Sequence, residues 1–151
     1  MRENEVINEF RGDYFFLSNF YPAKIVTSYS PYFSETYEFF SSEVLFQSIK
    51  MKNKVEFDHI RTLDSRMAKN KSKKFEIRHD WLNIRDSVMK FALECKFNQN
   101  PELIDKLVST YPKKLVEGNI WNDTYWGVCK NVGKNKLGVF LEELRLSYLF
   151  F

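Results

Sequence analysis

The pattern of apolar residues changes at residue 41, and this change constrains the fold more than any other feature. Residues 10–40 are rich in aromatic and β-branched types and are interrupted by Gly12, Pro22 and Pro31, which favours short strands joined by turns. From residue 41 onward, apolar residues recur every three or four positions, as on the buried face of a helix. We therefore predict an α+β fold, mostly helical, with a small strand region near the N-terminus.

The predicted helices have recognisable ends. Ser41 or Ser42 can cap a helix that runs through Met51, and Asp80 can cap a second one. The pair Asn100–Pro101 is typical of a helix start, and a polar loop over 117–136 precedes a last helix. The residues predicted to face inward are Trp81, Ile84, Val88, Phe91, Ala92 and Cys95, then Leu103, Ile104, Leu107 and Val108, then Leu137, Phe140, Leu141, Leu144 and Tyr148.

Chain length and composition favour one folded domain over residues 1–151. Hydrophobic residues make up 44% of the chain, and there are 5 Gly and 4 Pro, so disorder and long linkers are excluded as the main state. The formal net charge of +3 permits an anionic ligand but does not indicate a polybasic coat.

The sequence also predicts a cytoplasmic protein without a membrane segment. The charged start lacks the apolar stretch of a secretory signal, and no apolar run approaches the roughly 20 residues that cross a bilayer. Cys95 and Cys129 are unclustered, which favours free thiols in a reducing compartment.

Several common signatures of enzyme sites are missing from the sequence. The stretch 127–134 resembles a phosphate loop but has five residues between its glycines, where that loop has four. The Cys and His residues lack the spacing of zinc ligands, and neither a Gly-x-Ser-x-Gly nor a Gly-x-Gly-x-x-Gly motif occurs. We expect no metal and no cofactor.

Three residues of the first helix form a candidate ligand-binding stripe. Glu43, Gln47 and Lys50 are spaced i, i+4 and i+7, so they lie on one side of a helix. Glu43 and Lys50 would be roughly 10 Å apart along the axis, with room for a small ligand between carboxylate and amine. The alternative is an ordinary exposed polar stripe.

Two further segments each have a functional and a structural interpretation. Asp123 precedes Trp126 in a polar loop and can present a carboxylate beside a stacking surface, or it can simply close an Asx turn. Trp81 is either a ligand platform or a core residue. Residues 66–78 form a basic run that is either a solvated face or an anion-binding patch; its basic residues are Arg66, Lys69, Lys71, Lys73, Lys74 and Arg78.

Four segments, taken in order, resemble the motifs of a known family. Residues 17–22 resemble its LSNF-x-P element, and residues 41–50 resemble its S-x-E-x-x-x-Q-x-x-K helix. Residues 80–101 resemble its DW…R-x-x-VM…KF-x-QNP segment, and residues 115–138 resemble its LVE…D-x-x-WG…KN-x-LG signature. By this order and spacing the chain is identified as a member of the NADAR (YbiA-like) family.

The resemblance implies an N-glycosidase that hydrolyses a ribose C1′–N bond. Family substrates are ADP-ribose on guanine, in DNA or nucleotides, and the ribosylamino-pyrimidine phosphates of riboflavin biosynthesis. Some members are encoded beside DNA-modifying ADP-ribosyltransferases, so functional pairing with such a transferase is expected. We rank ADP-ribosyl-guanine first, because the basic run suits additional phosphates. Hydrolysis of ribosylamino-pyrimidine phosphates is the second hypothesis, and a non-catalytic ADP-ribose- or NAD-binding module is the third.

The resemblance also assigns roles to individual residues. Lys50 matches the lysine that forms a Schiff base with the opened ribose, and Glu43 matches the assisting glutamate. We expect Phe39, Phe40 and Phe46 to shelter Lys50 and so favour its neutral amine. The expected substrate-binding residues are Trp81 and Trp126 for stacking on the base, Asp123 for a ribose hydroxyl or base edge, Gln47 on the catalytic stripe, and Asn19 and Arg11 for phosphates.

Overall fold

The computed structural model describes residues 5–150. These residues form two compact units. The first unit combines the N-terminal segment up to Ser18 with the chain from Pro101 onward, and the second is Asn19–Asn100. Each unit is described separately below. The single domain expected over 1–151 stays a prediction.

The second unit begins with an antiparallel hairpin of strands β2 (Ile25–Tyr29) and β3 (Phe33–Phe39). Its inner residues are aromatic, and the Phe33 and Phe57 ring centroids lie 4.8 Å apart. Tyr37 meets the same Phe57 ring edge-on at 5.4 Å. Such tilted aromatic contacts add to the stabilisation from apolar burial, and they fix the hairpin against the helix that carries Phe57.

Four helices complete this unit: α1 (Ser42–Lys50), α2 (Lys54–Ile60), α3 (Ser65–Ser72) and α4 (Trp81–Gln99). Helix α1 packs against the other three helices and both strands, so its residues 42–49 are all buried. The Ser41 side chain caps α1 by accepting a hydrogen bond from the Val44 amide, as its sequence position predicts. Helix α1 is therefore the centre of the second unit.

The first unit contains β1 (Val6–Ile7), which pairs in parallel with β4 (Lys114–Leu115). It also contains a 3-10 helix over Gly12–Leu17 and helices α5 (Pro101–Ser109) and α6 (Lys136–Phe150). Helix α6 lies so close to β4 that a Cβ atom at Gly138 would collide with the Leu115 carbonyl. The preceding loop uses left-handed backbone, which suits asparagine; the non-glycine residues in this conformation are Asn122, Lys130, Asn131 and Asn135.

The α+β fold class and the start of each predicted helix are confirmed. The predicted capping role of the Asp80 side chain is wrong, because Arg78 and Tyr32 bind its carboxylate instead. Helices α2 and α3 were not predicted. The buried face of α4 also differs from the predicted one, because both α1 and β2 pack against this helix. Three residues predicted to face inward are only half-buried, namely Ile84, Phe91 and Cys95. Four residues that were not predicted are buried as well, namely Met89, Leu93, Lys96 and Phe97.

Among the described residues, no helix has both the length and the apolar character needed to span a bilayer.

Lys96 is the most deeply buried charged residue of the second unit. Its side chain is fully buried, and its amine lies 5.7 Å from the Tyr21 ring centroid and 5.2 Å from that of Phe97. Burial lowers the pKa of Lys96 to about 7, because the ammonium loses its hydration. The side chain is therefore partly neutral near neutral pH.

This burial predicts a pH dependence of stability. Between about pH 7 and the ordinary lysine value of 10.5, the unfolded chain binds the Lys96 proton and the folded chain does not. The free energy of unfolding should therefore rise with pH, by up to about 1.4 kcal/mol per pH unit, through this group. Urea unfolding of the native protein and Lys96→Met between pH 7 and 9 measures the difference. Parallel pH profiles for the two proteins would contradict the prediction.

Candidate active site

Helix α1 carries the predicted catalytic pair in a buried setting. Glu43 lies in its first turn and Lys50 is its last residue. Glu43 and Gln47 are each only 7% exposed, so the interpretation of an exposed polar stripe is wrong. Because buried polar side chains must be satisfied inside the protein, the contacts of this stripe decide what it can do.

Asn19 fixes the beginning of α1. Its backbone carbonyl accepts a hydrogen bond from the Glu43 amide at 3.1 Å, and its Oδ1 accepts one from Ser42 Oγ at 2.8 Å. Its Nδ2 lies 3.1 Å from Met89 Sδ on α4. Asn19 is buried and its carboxamide is engaged on both sides, so in this structure it positions Glu43. The phosphate contact expected of Asn19 stays a prediction.

A hydrogen-bonded chain of side chains leads from α3 to Glu43. Ser72 Oγ lies 2.9 Å from Gln47 Oε1, and Gln47 Nε2 lies 2.8 Å from Glu43 Oε2. All three residues are buried. A carboxylate that accepts a hydrogen bond from an amide in such a setting has a fixed orientation. The substrate contact expected of Gln47 stays a prediction.

Lys50 lies at the other end of the stripe. Its amine lies 6.0 Å from the centroid of the Trp81 ring, and within residues 5–150 it donates no hydrogen bond. Burial lowers the pKa of Lys50, the Glu43 carboxylate opposes that shift, and the nearby Lys73 ammonium adds to it. The result is an amine that loses its proton more readily than an exposed lysine.

The aromatic ring beside the Lys50 amine is that of Trp81, whereas the sequence predicted Phe39, Phe40 and Phe46 in this place. Trp81 is buried on the inward face of α4, and its ring packs edge-on against Phe46 at 4.9 Å. Phe40 is 44% exposed, and Phe39 packs with Phe33 and Phe57. Of the three, Phe46 is the one that joins the Trp81 ring, which lies over Lys50.

Arg78 secures the C-terminal end of α1. Its backbone amide donates to the Lys50 carbonyl at 3.1 Å, and its Nη1 donates to the Ile49 carbonyl at 3.2 Å. Its Nε pairs with Asp80 at 2.7 Å, and its guanidinium lies 3.1 Å from the Tyr32 ring centroid. Arg78 therefore belongs to the internal structure and not to a solvated or anion-binding face.

The remaining basic residues of the 66–78 run are distributed around α3 and the turn after it. Lys69 lies 5.5 Å from the Phe20 ring centroid. Arg66, Lys73 and Lys74 are exposed, and none of them forms a salt bridge within the described part of the chain. Among them, Lys73 is the one whose charge acts on Lys50.

The other predicted site residues lie in the first unit. Asp123 Oδ1 accepts hydrogen bonds from the Tyr125 amide at 3.1 Å and the Trp126 amide at 2.9 Å, which is the Asx-turn arrangement. Trp126 is half-buried and packs against the rings of Tyr125 and Phe140. Arg11 is exposed. The ligand contacts expected of these three residues stay predictions.

Sequence reasoning missed Ser72 and Arg85 as candidate residues of this site, and it named Lys73 only as part of the basic run over 66–78. Ser72 stands inside a lysine-rich run, so nothing in the sequence distinguishes it. Arg85 lies on α4, one turn after Trp81 and one turn before Met89. Trp81 lies beside the Lys50 amine, and Met89 contacts Asn19. Helical spacing therefore places Arg85 on the side of α4 that faces α1.

A cleft of about 370 Å³ lies in the same unit but on a different side of α1. Ser48 and Ile49 of α1 line this cleft. Because successive helical residues are rotated by about 100°, these two lie on the side of α1 away from the Glu43–Lys50 stripe. The basic residues of the cleft, Lys52, Lys54 and Arg78, are each paired with a carboxylate. Among residues 5–150, no group of three or more His, Cys, Asp and Glu side chains is arranged to hold a metal ion.

Comparisons with known proteins place the chain among proteins of known family. The sequence model of the NADAR domain matches residues 7–147. N-glycosidase YbiA of Shigella boydii is 41% identical over 111 residues, which is 70% of this chain and 68% of that protein. A riboflavin biosynthesis protein of Vibrio vulnificus is 32% identical over 133 residues, covering 86% of this chain and 34% of that protein.

A solved structure shows the same fold. The NMR structure of Escherichia coli YbiA aligns with a TM-score of 0.82 and 31% identity, covering 99% of this chain and 88% of that one. The similarity to proteins named N-glycosidases supports a glycosyl hydrolase activity of the same general kind. With a family match over nearly its whole length and this structural agreement, the chain belongs to the NADAR domain family.

Proposed function

We propose that this protein is an N-glycosidase that removes ADP-ribose from guanine, in DNA or in a nucleotide, with Lys50 as nucleophile and Glu43 as proton carrier. The observation that carries the proposal is the pairing of these groups on α1. A buried carboxylate oriented by Gln47 and a lysine of lowered pKa lie on one stripe, beside the indole of Trp81. This arrangement supports attack by an amine on a sugar carbon.

In the first step, the neutral Lys50 amine forms a bond to C1′ of the ribose. The bond between C1′ and the guanine nitrogen breaks, and its electron pair stays with the base. Glu43, ionised at the start, takes one proton from Nζ of the attacking amine and passes it to the departing nitrogen. The second Nζ proton goes to O4′ as the C1′–O4′ bond opens, which gives an imine and a free 4′-hydroxyl.

In the second step, water hydrolyses the imine. The water oxygen adds to C1′, the bond between C1′ and Nζ breaks, and the released aldehyde closes again to ribose. Glu43 takes the proton of the attacking water and passes it to Nζ, and the proton of the new C1′ hydroxyl follows it as the C1′–Nζ bond breaks, so the lysine and the carboxylate return to their starting states. The net reaction consumes one water and yields free base and ADP-ribose.

The charges near Lys50 favour a substrate with several phosphates. Lys73 lies close enough to Lys50 to lower the pKa of that lysine. Arg66 and Lys74 belong to the same basic run as Lys73, and both are exposed. ADP-ribose carries a pyrophosphate, and a DNA-linked substrate adds backbone phosphates. A DNA-modifying ADP-ribosyltransferase would be the functional partner that makes such a substrate.

A ribosylamino-pyrimidine phosphate is the second candidate substrate. It is favoured by the similarity to riboflavin biosynthesis proteins of Vibrio vulnificus and Arabidopsis thaliana. The same amine and carboxylate would serve that reaction. A binding module without turnover is disfavoured, because a ligand-binding protein has no need of a buried lysine with a lowered pKa.

Release of ADP-ribose from a guanine-ADP-ribosylated oligonucleotide, followed by mass spectrometry, tests the function directly. We expect release without added metal, and also from an ADP-ribosylated guanosine nucleotide. Parallel reactions contain a ribosylamino-pyrimidine phosphate. Turnover of that compound alone would overturn the assignment of ADP-ribosyl-guanine, and turnover of none would overturn the glycosidase.

Lys50→Ala and Lys50→Arg should both abolish turnover, because neither side chain can form the imine. Substrate binding should remain measurable by calorimetry. Borohydride added during turnover should trap the native enzyme with the mass of one reduced ADP-ribosyl adduct. Lys52→Arg is the matched control, since Lys52 pairs with Glu76 on the surface. Full activity of either Lys50 variant would rule out the Schiff base.

Lys73→Ala should move the pH dependence of activity to higher pH. Activity needs neutral Lys50, so kcat/KM rises with pH through the pKa of that lysine. Removing the Lys73 charge raises this pKa, because one cause of its lowering is gone. We expect the rising limb to shift upward by a few tenths of a pH unit, measured at low salt. Lys74→Ala is the control, and equal limbs for both variants would contradict the prediction.

A further inference from the structure

Gln47 is held by protein groups at both ends of its carboxamide. What we infer from this contact rests on the proposed function of Glu43. The Gln47 Nε2 lies 2.8 Å from Glu43 Oε2, and the Gln47 Oε1 lies 2.9 Å from Ser72 Oγ. Gln47 is 7% exposed and Ser72 is 1% exposed. A side chain used in this way is poorly suited to bind substrate and well suited to orient its neighbour.

Glu43 and Ser72 together fix which way the carboxamide points. A carboxylate can only accept, so the amide NH₂ must face Glu43, and the amide oxygen must then face Ser72. The Ser72 hydroxyl lies 2.9 Å from that oxygen and 3.0 Å from the Lys69 carbonyl, and it can donate to the carboxamide oxygen. If the carboxamide were flipped, its oxygen would face a carboxylate oxygen, which is unfavourable in a buried place. A donor at Ser72 thus stabilises the orientation that donates to Glu43.

We propose that Gln47 is a positioning residue that keeps Glu43 in its ionised form and fixes the direction of its carboxylate, and that Ser72 orients Gln47 for this task. A donor to a carboxylate favours the charged form over the protonated acid. Glu43 therefore starts the reaction as a base. It can take a proton released by Lys50 and return that proton to the departing base, so the proton count balances.

Lys50 on α1 is the cation whose charge is coupled to Glu43, and Lys73 after α3 acts in turn on Lys50. On α4, the basic residue at the helical position next to Trp81 is Arg85. A nearby cation favours an ionised Glu43, as it does any carboxylate. Several charged groups of α2 and the hairpin form pairs of their own, which are Lys54–Asp58, Arg61–Asp58 and Lys24–Glu38. Because Gln47 is a neutral donor, its effect can be separated from that of the cations.

The test is a direct titration of the Glu43 carboxyl carbon by ¹³C NMR, with Glu43→Gln used to assign the signal. In Gln47→Met the donor is lost while the length and burial of the side chain are kept. We expect the pKa of Glu43 to rise by about one unit relative to the native protein. In Ser72→Ala we expect a smaller rise, because the carboxamide is still present but no longer oriented.

Ser48→Ala is the matched control. Ser48 is also a buried serine, and its hydroxyl donates to the Val44 carbonyl on the side of α1 away from Glu43. Its loss should leave the Glu43 titration unchanged to within about 0.2 units. If Gln47→Met and Ser72→Ala both titrate like the native protein, the proposal is overturned.

The titration needs no substrate, so it is independent of the proposed reaction. A shifted Glu43 titration together with no glycosidase activity would retain the positioning role and overturn the reaction. In an active enzyme, the limb set by Glu43 lies below the Lys50 limb in the pH profile of kcat, and it should move upward in Gln47→Met by the same amount as the titration. KM should change little, because both ends of the carboxamide are held by Glu43 and Ser72. A changed KM with an unmoved Glu43 limb would instead assign Gln47 to substrate binding.

Discussion

The burial of helix α1 on every side is the constraint on which the second unit depends. A helix whose residues 42–49 are all buried cannot leave any polar side chain to the solvent. Its polar side chains must therefore find partners within the protein. Ser48 and Glu43 find them inside α1. Asn19, Ser65 and Ser72 bind Ser42, the capping Ser41 and Gln47, and through these contacts the loop before β2 and helix α3 are fixed against α1.

Much of this arrangement follows from local sequence. The serine before α1, the proline that begins α5 and the spacing of Glu43, Gln47 and Lys50 are short-range signals, and helical geometry turns them into caps and faces without tertiary information. The family motif that identified Glu43 and Lys50 is also a short-range signal, because both residues lie within one helix. Their mutual spacing on one short helix is independent of the rest of the chain.

What the sequence could not predict depends on long-range packing. Whether the stripe on α1 is exposed or buried depends on α3 and α4, and α3 itself is hidden within a lysine-rich run. Arg78 looked like part of a basic surface, but Asp80, Tyr32 and the end of α1 use its guanidinium. Lys96 lies at a helical position that is fully buried only because α1 and β2 cover different sides of α4.

The hydrogen bond between Ser72 and Gln47 also has an evolutionary consequence. Loss of the Ser72 hydroxyl alone leaves the buried Gln47 oxygen without its match, whereas loss of Gln47 leaves the hydroxyl beside the Lys69 carbonyl. A donor at residue 72 should therefore be kept wherever residue 47 is glutamine. Among related sequences, residues 47 and 72 should covary although they are far apart in the chain, and a lineage that replaces both with apolar residues will have had to find another way to hold its glutamate.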